Sequence, residues 1–404
     1  MKAGSAALAN PAGADSQQTL NMKEIKDIIA AFEVAEKRGK KTAIATVVHV
    51  EGSSYRRPGA RMLITEDGEM TGAISGGCLE GDALRKALLV MIKQEAMVVT
   101  YDTNDEDDAK MGLGLGCNGI IQVLIEPVIA ADERNPIRLL QLVVTGRQSY
   151  CLVTLFCLSN KRAPQPGTCL LYSKEGVVSG GFPALNENLL QAAAEVFDEK
   201  QSRFKKYIFG DQDITAFVEW IGMPVSLVIF GGGNDVIPVV QMAAILGWQS
   251  TVIDGRAAYA KQERFAGCSV LLSTPENALR NVTVDEHSFF LLMTHNYNYD
   301  KAMLISLLNR DARYIGMLGP RKKLNRMIGE MQEEGIVYNP EKFAAVYSPV
   351  GLDIGAETPE AIALSILAEI QAVLAGRPSQ SLNNYQEPIH SRSQTTILEV
   401  KLDH

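Results

Sequence analysis

Apolar residues follow different patterns in the two halves of the chain. In the first half, residues 22–38 repeat apolar positions at helical spacing and residues 42–50 are rich in β-branched side chains, which predicts helices mixed with strands. From residue 225 onward, largely apolar runs at 225–230 and 288–293 and a shorter strand pattern at 250–253 alternate with helical patterns. Such runs are typical of parallel strands that are buried on both faces. The sequence therefore predicts an α/β protein with a mixed α/β N-terminal lobe and a doubly wound parallel sheet in the C-terminal lobe.

The pattern changes at residues 222–224, where Gly-Met-Pro interrupts it, and we place a domain boundary there. An N-terminal domain at 22–222 then precedes a C-terminal domain at 223–378. Residues 1–21 are rich in small and polar side chains, and we interpret them as a disordered lead or a cloning remnant. Residues 379–404 are interpreted as a polar tail that includes one segment with the composition of an edge strand.

Charge and cysteine content narrow the class of protein. The 404 residues carry a net charge of −8, which argues against a nucleic-acid partner because such partners select a basic surface. No apolar run approaches the ~20 residues that a membrane helix needs, and the N-terminus lacks the apolar core of a signal peptide. The six cysteines are thinly spread, which suits reduced thiols, so we expect a cytoplasmic protein.

A cysteine in a glycine-rich turn is the leading candidate for chemistry. Gly76 and Gly77 precede Cys78, and a helical pattern begins shortly after it. A helix N-terminus favours a thiolate, whereas Glu80 at the same terminus opposes this effect. Arg57, in a Pro-Gly loop upstream, would add positive charge if that loop folds over the thiol. The alternative interpretation is that Cys78 is a small buried apolar residue.

A second cysteine has a similar setting. Gly116 and Cys117 precede an apolar run that is predicted to form a strand. The two cysteines form no CxxC pair, so no zinc site is predicted, while a disulfide between them and a shared site both stay open. We also interpret the acidic residues 102–108 as a solvated loop, and we therefore predict no metal site.

A glycine-rich loop follows the first apolar strand of the C-terminal domain. After Gly231 and Gly233 come a helical pattern and a strand that ends at Asp254, which is the order that opens a Rossmann-like dinucleotide-binding unit. The fingerprint is incomplete, because valine occupies its last small position and Asn234 is followed by the acidic Asp235. A negative charge there disfavours a bound pyrophosphate. The sequence therefore predicts a Rossmann-like fold, with NAD(P) only as an alternative ligand.

Two further residues are expected where open α/β sheets bind ligands. His295 follows the strand predicted at 288–293, and it is a candidate acid, base or phosphate contact because its charge changes near neutral pH. Arg321 begins a basic cluster after a Gly-Pro turn, and a phosphate-bearing ligand would explain that cluster. A structural loop histidine and an ordinary solvated helix face explain the two features about as well.

Five motifs resemble the XdhC/CoxI family over most of the chain, from about residue 22 to residue 377. Two of them contain the cysteine turns, one lies in the loop before the first turn, and two lie in the C-terminal domain. They are EGSSYRRPGA at 51–60, SGGCLE at 75–80, GLGC at 114–117, RYIGMLGPR at 313–321 and SPVGLDIGAETP at 348–359. Members of this family are accessory proteins for xanthine dehydrogenase and related molybdenum hydroxylases.

The resemblance implies a cofactor chaperone rather than an independent enzyme. Such a protein would bind the molybdopterin cofactor as cargo, support its sulfuration by a sulfurtransferase and deliver it to a xanthine dehydrogenase-type hydroxylase. Soft thiolates suit a thiophilic metal, and glycine-rich turns with basic side chains suit the cofactor's phosphate. Two alternatives stay open, namely an NAD(P)-dependent oxidoreductase and a scaffold that docks the partner proteins without holding cofactor. A homodimer is also compatible with the sequence.

Overall fold

The computed structural model describes residues 18–52, 54–102, 119–132, 134–160, 163–209, 212–384 and 397–401. They form two compact units, one built on Asn21–Met223 with the C-terminal strand and the other on Pro224–Gln386. Gly116 and Cys117 lie outside the described residues. None of the described helices is both long enough and apolar enough to cross a membrane.

Within the described residues, the N-terminal unit contains two sheets and four α-helices. The first sheet has the spatial order β3-β2-β1-β5-β4 and is antiparallel throughout. Its strands are β1 (Thr42–Gly52), β2 (Arg61–Thr65), β3 (Met70–Gly72), β4 (Met97–Asp102) and β5 (Gly119–Val128). The helices are α1 (Gln18–Lys37), α2 (Glu80–Lys93), α3 (Pro136–Thr145) and α4 (Asn186–Glu199).

The second sheet has the order β17-β9-β10-β6-β7-β8. Its strands are β6 (Tyr150–Phe156), β7 (Gly167–Ser173), β8 (Gly176–Gly180), β9 (Arg203–Phe209), β10 (Gln212–Ile221) and β17 (Ile397–Lys401). The last strand pairs in parallel with β9, so the edge strand expected in the tail forms on this sheet. Residues 205–220, whose sequence predicts extended backbone, contribute to two strands, because β9 and β10 pair in antiparallel orientation.

The two sheets share their buried faces. Ile44 and Leu63 of the first sheet pack with Leu152 and Ile221 of the second in one apolar cluster, together with residues of α1 and α3. The interface also contains polar side chains, because Glu126 of β5 accepts hydrogen bonds from the backbone N–H (2.6 Å) and the hydroxyl (2.9 Å) of Thr168 in β7. Burial raises the pKa of Glu126 despite these hydrogen bonds.

The C-terminal unit is a six-stranded parallel sheet with helices around it. Its order is β13-β12-β11-β14-β15-β16, which is the Rossmann arrangement and confirms the predicted fold class. The strands are β11 (Ser226–Phe230), β12 (Gln249–Asp254), β13 (Ser269–Leu272), β14 (Ser288–Leu292), β15 (Tyr314–Met317) and β16 (Val346–Tyr347). The helices are α5 (Val236–Ile245), α6 (Tyr297–Leu308), α7 (Arg321–Glu333) and α8 (Pro359–Ala375).

The strand order reverses between β11 and β14, which places a crevice at their carboxyl ends. Clusters of apolar side chains cover both faces of the sheet, which accounts for the continuous apolar runs in its strands. Glu369 of α8 connects the helix to the sheet, because its carboxylate accepts hydrogen bonds from the hydroxyl of Tyr314 (2.6 Å) and the N–H of Gly351 (3.0 Å).

Candidate functional site

The cysteine turn presents an exposed thiol between β3 and α2. Cys78 is exposed and forms no disulfide, so the interpretation as a buried apolar residue is wrong. Gly77 has φ +108°, a conformation that glycine adopts without strain, and a Cβ there would meet no atom within 4 Å. The thiol therefore lies on the solvent side of a turn whose glycines leave the backbone uncovered.

Ser75 organises the backbone of this turn. Its Oγ accepts hydrogen bonds from the N–H groups of Gly77, Cys78 and Leu79, each at 3.1 Å. The N–H groups of Gly77 and Cys78 precede α2, and only that of Leu79, the residue before Glu80, belongs to the helix N-terminus. These three N–H groups beside the thiol are directed to the serine, so their stabilisation of a Cys78 thiolate has no support in this geometry.

Glu80 closes the same turn from the first residue of α2. Its carboxylate accepts hydrogen bonds from the N–H (2.8 Å) and hydroxyl (2.5 Å) of Ser75 and from the N–H of Leu79 (3.1 Å). Burial alone would raise the pKa of Glu80, but these hydrogen bonds outweigh it and hold the pKa below its ordinary value. The Glu80 side chain is directed toward the backbone of the turn and not toward solvent. Its carboxylate takes the place of water as the acceptor for the N–H groups of Ser75 and Leu79.

The loop before β2 reaches the cysteine turn. A Cβ built at Gly76 would lie 3.7 Å from the ring of Tyr55, so this loop and the cysteine turn are in contact. Of the basic residues in this loop, Arg56 pairs with Glu24 and Arg61 is buried in a pair with Glu219. Arg57 is exposed and forms no ion pair with a described residue. It is the remaining candidate for a positive charge near the thiol.

Replacing Ser75 by alanine should loosen this turn, because the N–H groups of Gly77 and Cys78 lose their acceptor and that of Leu79 keeps only the Glu80 carboxylate. We expect the free energy of unfolding to fall by about 1–2 kcal/mol, as measured by urea denaturation. Ser179→Ala is the matched control, since the Ser179 hydroxyl on β8 has no described partner and its loss should change the free energy by less than about 0.5 kcal/mol. Equal unfolding midpoints for the two variants would show that Ser75 does not hold the turn.

The other described cysteines lack the properties of a reactive thiol. Burial raises the pKa of Cys151 well above its ordinary value, raises that of Cys169 to about 12 and raises that of Cys268 to about 11. Cys157 is also buried. A protonated buried thiol is a poor nucleophile and metal ligand, so Cys78 is the thiol of the described residues that suits either role.

The glycine loop of the C-terminal unit lies at the crevice between β11 and β14. Gly231 has φ +116°, and a Cβ at this position would lie 2.2 Å from the carbonyl oxygen of Met293. A Cβ at Gly233 would lie 3.8 Å from the ring of His295. Glycine is therefore required where the two strand ends approach each other most closely.

Asp254 lies at the end of β12 and is buried, but its carboxylate has partners within the protein. It accepts hydrogen bonds from the N–H of Gly232 (2.8 Å) and from Nε (2.9 Å) and Nη2 (2.7 Å) of Arg256. Burial would raise the pKa of Asp254, yet these partners hold it below its ordinary value. In a dinucleotide site this acid would contact ribose hydroxyls. Here it contacts the glycine loop and an arginine, which disfavours the NAD(P) alternative.

His295 pairs with Asp235 across the crevice. The Nε2 atom lies 2.9 Å from Oδ2 of Asp235, which precedes the first residue of α5, and the imidazole is 58% exposed. The backbone of His295 has φ +54°, a conformation that non-glycine residues adopt mainly at constrained sites. The carboxylate at the helix N-terminus would repel a pyrophosphate.

The remaining predicted residues lie around the same edge of the sheet. Asn234 is exposed and accepts a hydrogen bond from Nη2 of Arg264 (2.8 Å). Arg321 begins α7 and donates from Nη1 to the carbonyl oxygen of Ser348 (2.9 Å). The predicted residues thus form two groups, the Cys78 turn in the N-terminal unit and the carboxyl edge of the sheet in the C-terminal unit.

The sequence interpretation missed three charged residues at the sheet edge. Arg256 and Arg264 both contact the glycine-loop region, and Asp300 is fully buried with partners in Lys323 (2.5 Å) and the Thr294 hydroxyl (2.6 Å). Arg256 follows Asp254 by two residues, so its proximity was available as a signal. Among the described residues, no group of three or more His, Cys, Asp and Glu side chains could hold a metal ion.

Comparisons with known proteins add two family matches. A model of the XdhC Rossmann domain matches residues 227–370, and a model of the XdhC and CoxI family matches residues 35–102. The second match includes the Cys78 turn, and the first includes the glycine loop, Asp254 and His295.

Individual relatives match along most of the chain. A probable xanthine dehydrogenase subunit of Bacillus subtilis (strain 168) is 30% identical over 332 residues, which cover 82% of this chain and 92% of that protein. A molybdenum cofactor insertion chaperone of Escherichia coli (strain K12) is 22% identical over 83% of this chain and 84% of its own length. A crystal structure of a xanthine dehydrogenase from Bacillus halodurans is similar with a TM-score of 0.67 and 30% identity, covering 88% of this chain and 98% of that one.

Proposed function

Because the chain belongs to the XdhC and CoxI family, we propose that it is an accessory protein in the maturation of a molybdenum cofactor. It binds the molybdopterin cofactor as cargo, supports its sulfuration and delivers it to a xanthine dehydrogenase-type hydroxylase. The proposal is supported by the names of two relatives, a cofactor insertion chaperone and a probable xanthine dehydrogenase subunit. A sulfurtransferase and the hydroxylase are the proposed partners, in the cytoplasm, and a homodimer is compatible with this role.

The observation that carries the proposal is the exposed thiol of Cys78. A thiolate is a soft ligand, which suits a thiophilic metal or a sulfur that is to be transferred. The turn that presents it is preorganised by Ser75 and Glu80, so little conformational entropy is lost when a ligand contacts it. Gly76 and Gly77 carry no side chain that would shield the thiol from a bulky cofactor.

The proposal assigns cofactor contacts to both groups of residues. In the N-terminal unit these are Gly76, Gly77 and the exposed Arg57. Gly116 and Cys117 are assigned with them from the sequence, since they lie outside the described residues. In the C-terminal unit the assigned contacts are Gly231, Gly233, Asn234, Asp254, His295 and Arg321.

Replacing Cys78 by serine should abolish client maturation, because a hydroxyl is a hard, weakly acidic group that cannot replace a thiolate. The measurement is the sulfurated fraction of a molybdenum hydroxylase that matures in cells with each variant. Cofactor retention by the purified protein, read by pterin fluorescence and molybdenum content, is expected to fall as well. Cys117→Ser should weaken both readouts.

Two cysteine variants control for nonspecific effects. Cys169→Ser changes a half-buried thiol and should leave the sulfurated fraction unchanged. Cys151→Ser should act only through stability, because its thiol is buried and donates to the carbonyl of Ala193 (3.4 Å). Full client activation by Cys78→Ser would refute a role for this thiol. Activation without any cofactor retention by the wild-type protein would favour the scaffold.

A further inference from the structure

Two arginines lie on one side of the glycine loop and share an aromatic neighbour. The guanidinium carbon of Arg256 lies 3.9 Å from the ring centre of Tyr259, and that of Arg264 lies 5.4 Å from the same centre. The two positive charges are thus held against a single ring. Like charges repel each other, and an anion that binds beside both would relieve the repulsion.

Arg264 has no carboxylate partner. Its Nη1 donates to the carbonyl oxygens of Gly232 and Tyr259, the latter at 3.0 Å, and its Nη2 donates to the side-chain oxygen of Asn234 (2.8 Å). All three acceptors are neutral, and none of the carboxylates in the described part of the chain forms an ion pair with Arg264. Its positive charge is therefore fixed in place beside the glycine loop and is not neutralised there.

Only part of the Arg256 guanidinium group is hydrogen-bonded to described residues. The Nε and Nη2 atoms bind the Asp254 carboxylate, and Nη2 also lies 3.5 Å from the carbonyl oxygen of Thr294. Nη1 has no partner among the described residues, and the side chain is 47% exposed. Asp254 neutralises one of the two arginines, so the three side chains together keep one net positive charge.

The acidic residue at the helix N-terminus determines where an anion would bind. In dinucleotide-binding proteins the phosphates contact the first turn of the helix after the glycine loop. In this chain Asp235 occupies the residue before α5, and its carboxylate disfavours an anion there. Arg264, which donates to Gly232 and Asn234 of the same loop, offers a positive charge that has no carboxylate partner among the described residues.

We propose that Arg256 and Arg264 form a binding site for a phosphate monoester beside the glycine loop. Two preorganised guanidinium groups can donate several charge-assisted hydrogen bonds to one phosphate, and phosphate geometry suits arginine better than lysine. The site is independent of the Cys78 turn and does not require the cofactor role. Its ligand is defined by the phosphate group, which a phosphorylated pterin or a nucleotide 2′-phosphate would supply equally well.

The first test measures binding of inorganic phosphate to the full chain by isothermal titration in a buffer without other multivalent anions. We expect one site in the wild-type protein and a loss of affinity of roughly tenfold or more in both Arg264→Gln and Arg256→Gln. Arg326→Gln is the matched control, because Arg326 also lies over a tyrosine, at 4.6 Å from the ring of Tyr297, but pairs with Glu330. It should bind phosphate as the wild type does.

Thermal unfolding of each variant separates a lost contact from a lost fold. Arg264→Lys serves if Arg264→Gln does not fold, and it should bind phosphate more weakly than wild type because it lacks the planar fork. The site would be overturned if the wild-type protein did not bind phosphate, or if folded Arg256→Gln and Arg264→Lys both bound it with the wild-type affinity.

Competition experiments then identify which molecule supplies the phosphate group. Displacement of phosphate by NADP⁺ but not NAD⁺ supports a nucleotide 2′-phosphate, and displacement by molybdopterin released from a hydroxylase supports the pterin phosphate.

Discussion

Replacing Glu219 by glutamine should destabilise the N-terminal unit by about 3–5 kcal/mol, which is the cost of leaving a buried charge without its partner. Glu219 of β10 forms two hydrogen bonds with the guanidinium group of Arg61 in β2, and both side chains are less than 5% exposed. Burial would lower the pKa of Arg61, but the glutamate outweighs it and the arginine stays charged. Glutamine keeps the size of the side chain and removes only the charge.

The measurement uses the chain's two tryptophans, which lie in different units. Trp220 and Trp248 are both 4% exposed, so in a Trp248→Phe background fluorescence reports unfolding of the N-terminal unit alone. Arg85→Gln is the control, because Arg85 pairs with Asp82 at the surface and its loss should cost at most about 1 kcal/mol. A double variant, Arg61→Met with Glu219→Leu, should regain most of the lost stability. If Glu219→Gln lowers the free energy of unfolding by no more than Arg85→Gln does, water must reach the Arg61 guanidinium group and replace its lost partner.

The fold was predictable because its main signals are local. The apolar runs that became β11, β12 and β14 follow from burial on both faces, and the glycines that separate them from helices follow from backbone geometry. The division of residues 205–220 into β9 and β10 was missed, although Gly-Asp at 210–211 is a dipeptide typical of two-residue hairpin turns. The Cys78 turn was recognised for the same local reason, as glycines and a helical pattern surround the thiol.

The polar partners could not be predicted because they depend on contacts between distant residues. Arg61 and Glu219 are 158 positions apart and meet only when two sheets pack. The role of Ser75 depends on the path of the backbone, which brings three N–H groups to one hydroxyl. At the sheet edge the case differs, because Arg256 follows Asp254 by two residues and was an available signal that this acid is paired within the protein. The spacing of apolar residues locates helices and strands, whereas the partners of a charged side chain depend on which residues the fold places beside it.

Replacing Gly231 by alanine should destabilise the C-terminal unit by about 3–5 kcal/mol, because the added Cβ has no space and the backbone cannot move away cheaply. The Cβ would lie 2.2 Å from the carbonyl oxygen of Met293 and 2.8 Å from the Cα of Thr294. Both are backbone atoms, fixed by the pairing of β11 with β14. Relief would require the two strand ends to separate, which would also move His295 away from Asp235.

Gly267→Ala is the matched control for the cost of backbone conformation. Gly267 has φ +71° and a Cβ there would meet nothing within 4 Å, so alanine should cost only about 1 kcal/mol. Urea unfolding of both variants is followed by Trp248 fluorescence in a Trp220→Phe background, which reports the C-terminal unit. Because alanine adopts φ +116° less readily than φ +71°, the difference between the two variants measures the contact with Met293 together with that additional backbone strain. If Gly231→Ala unfolds at the same urea concentration as Gly267→Ala, the ends of β11 and β14 can separate at little cost, and the crevice is not a rigid frame for the arginines beside it.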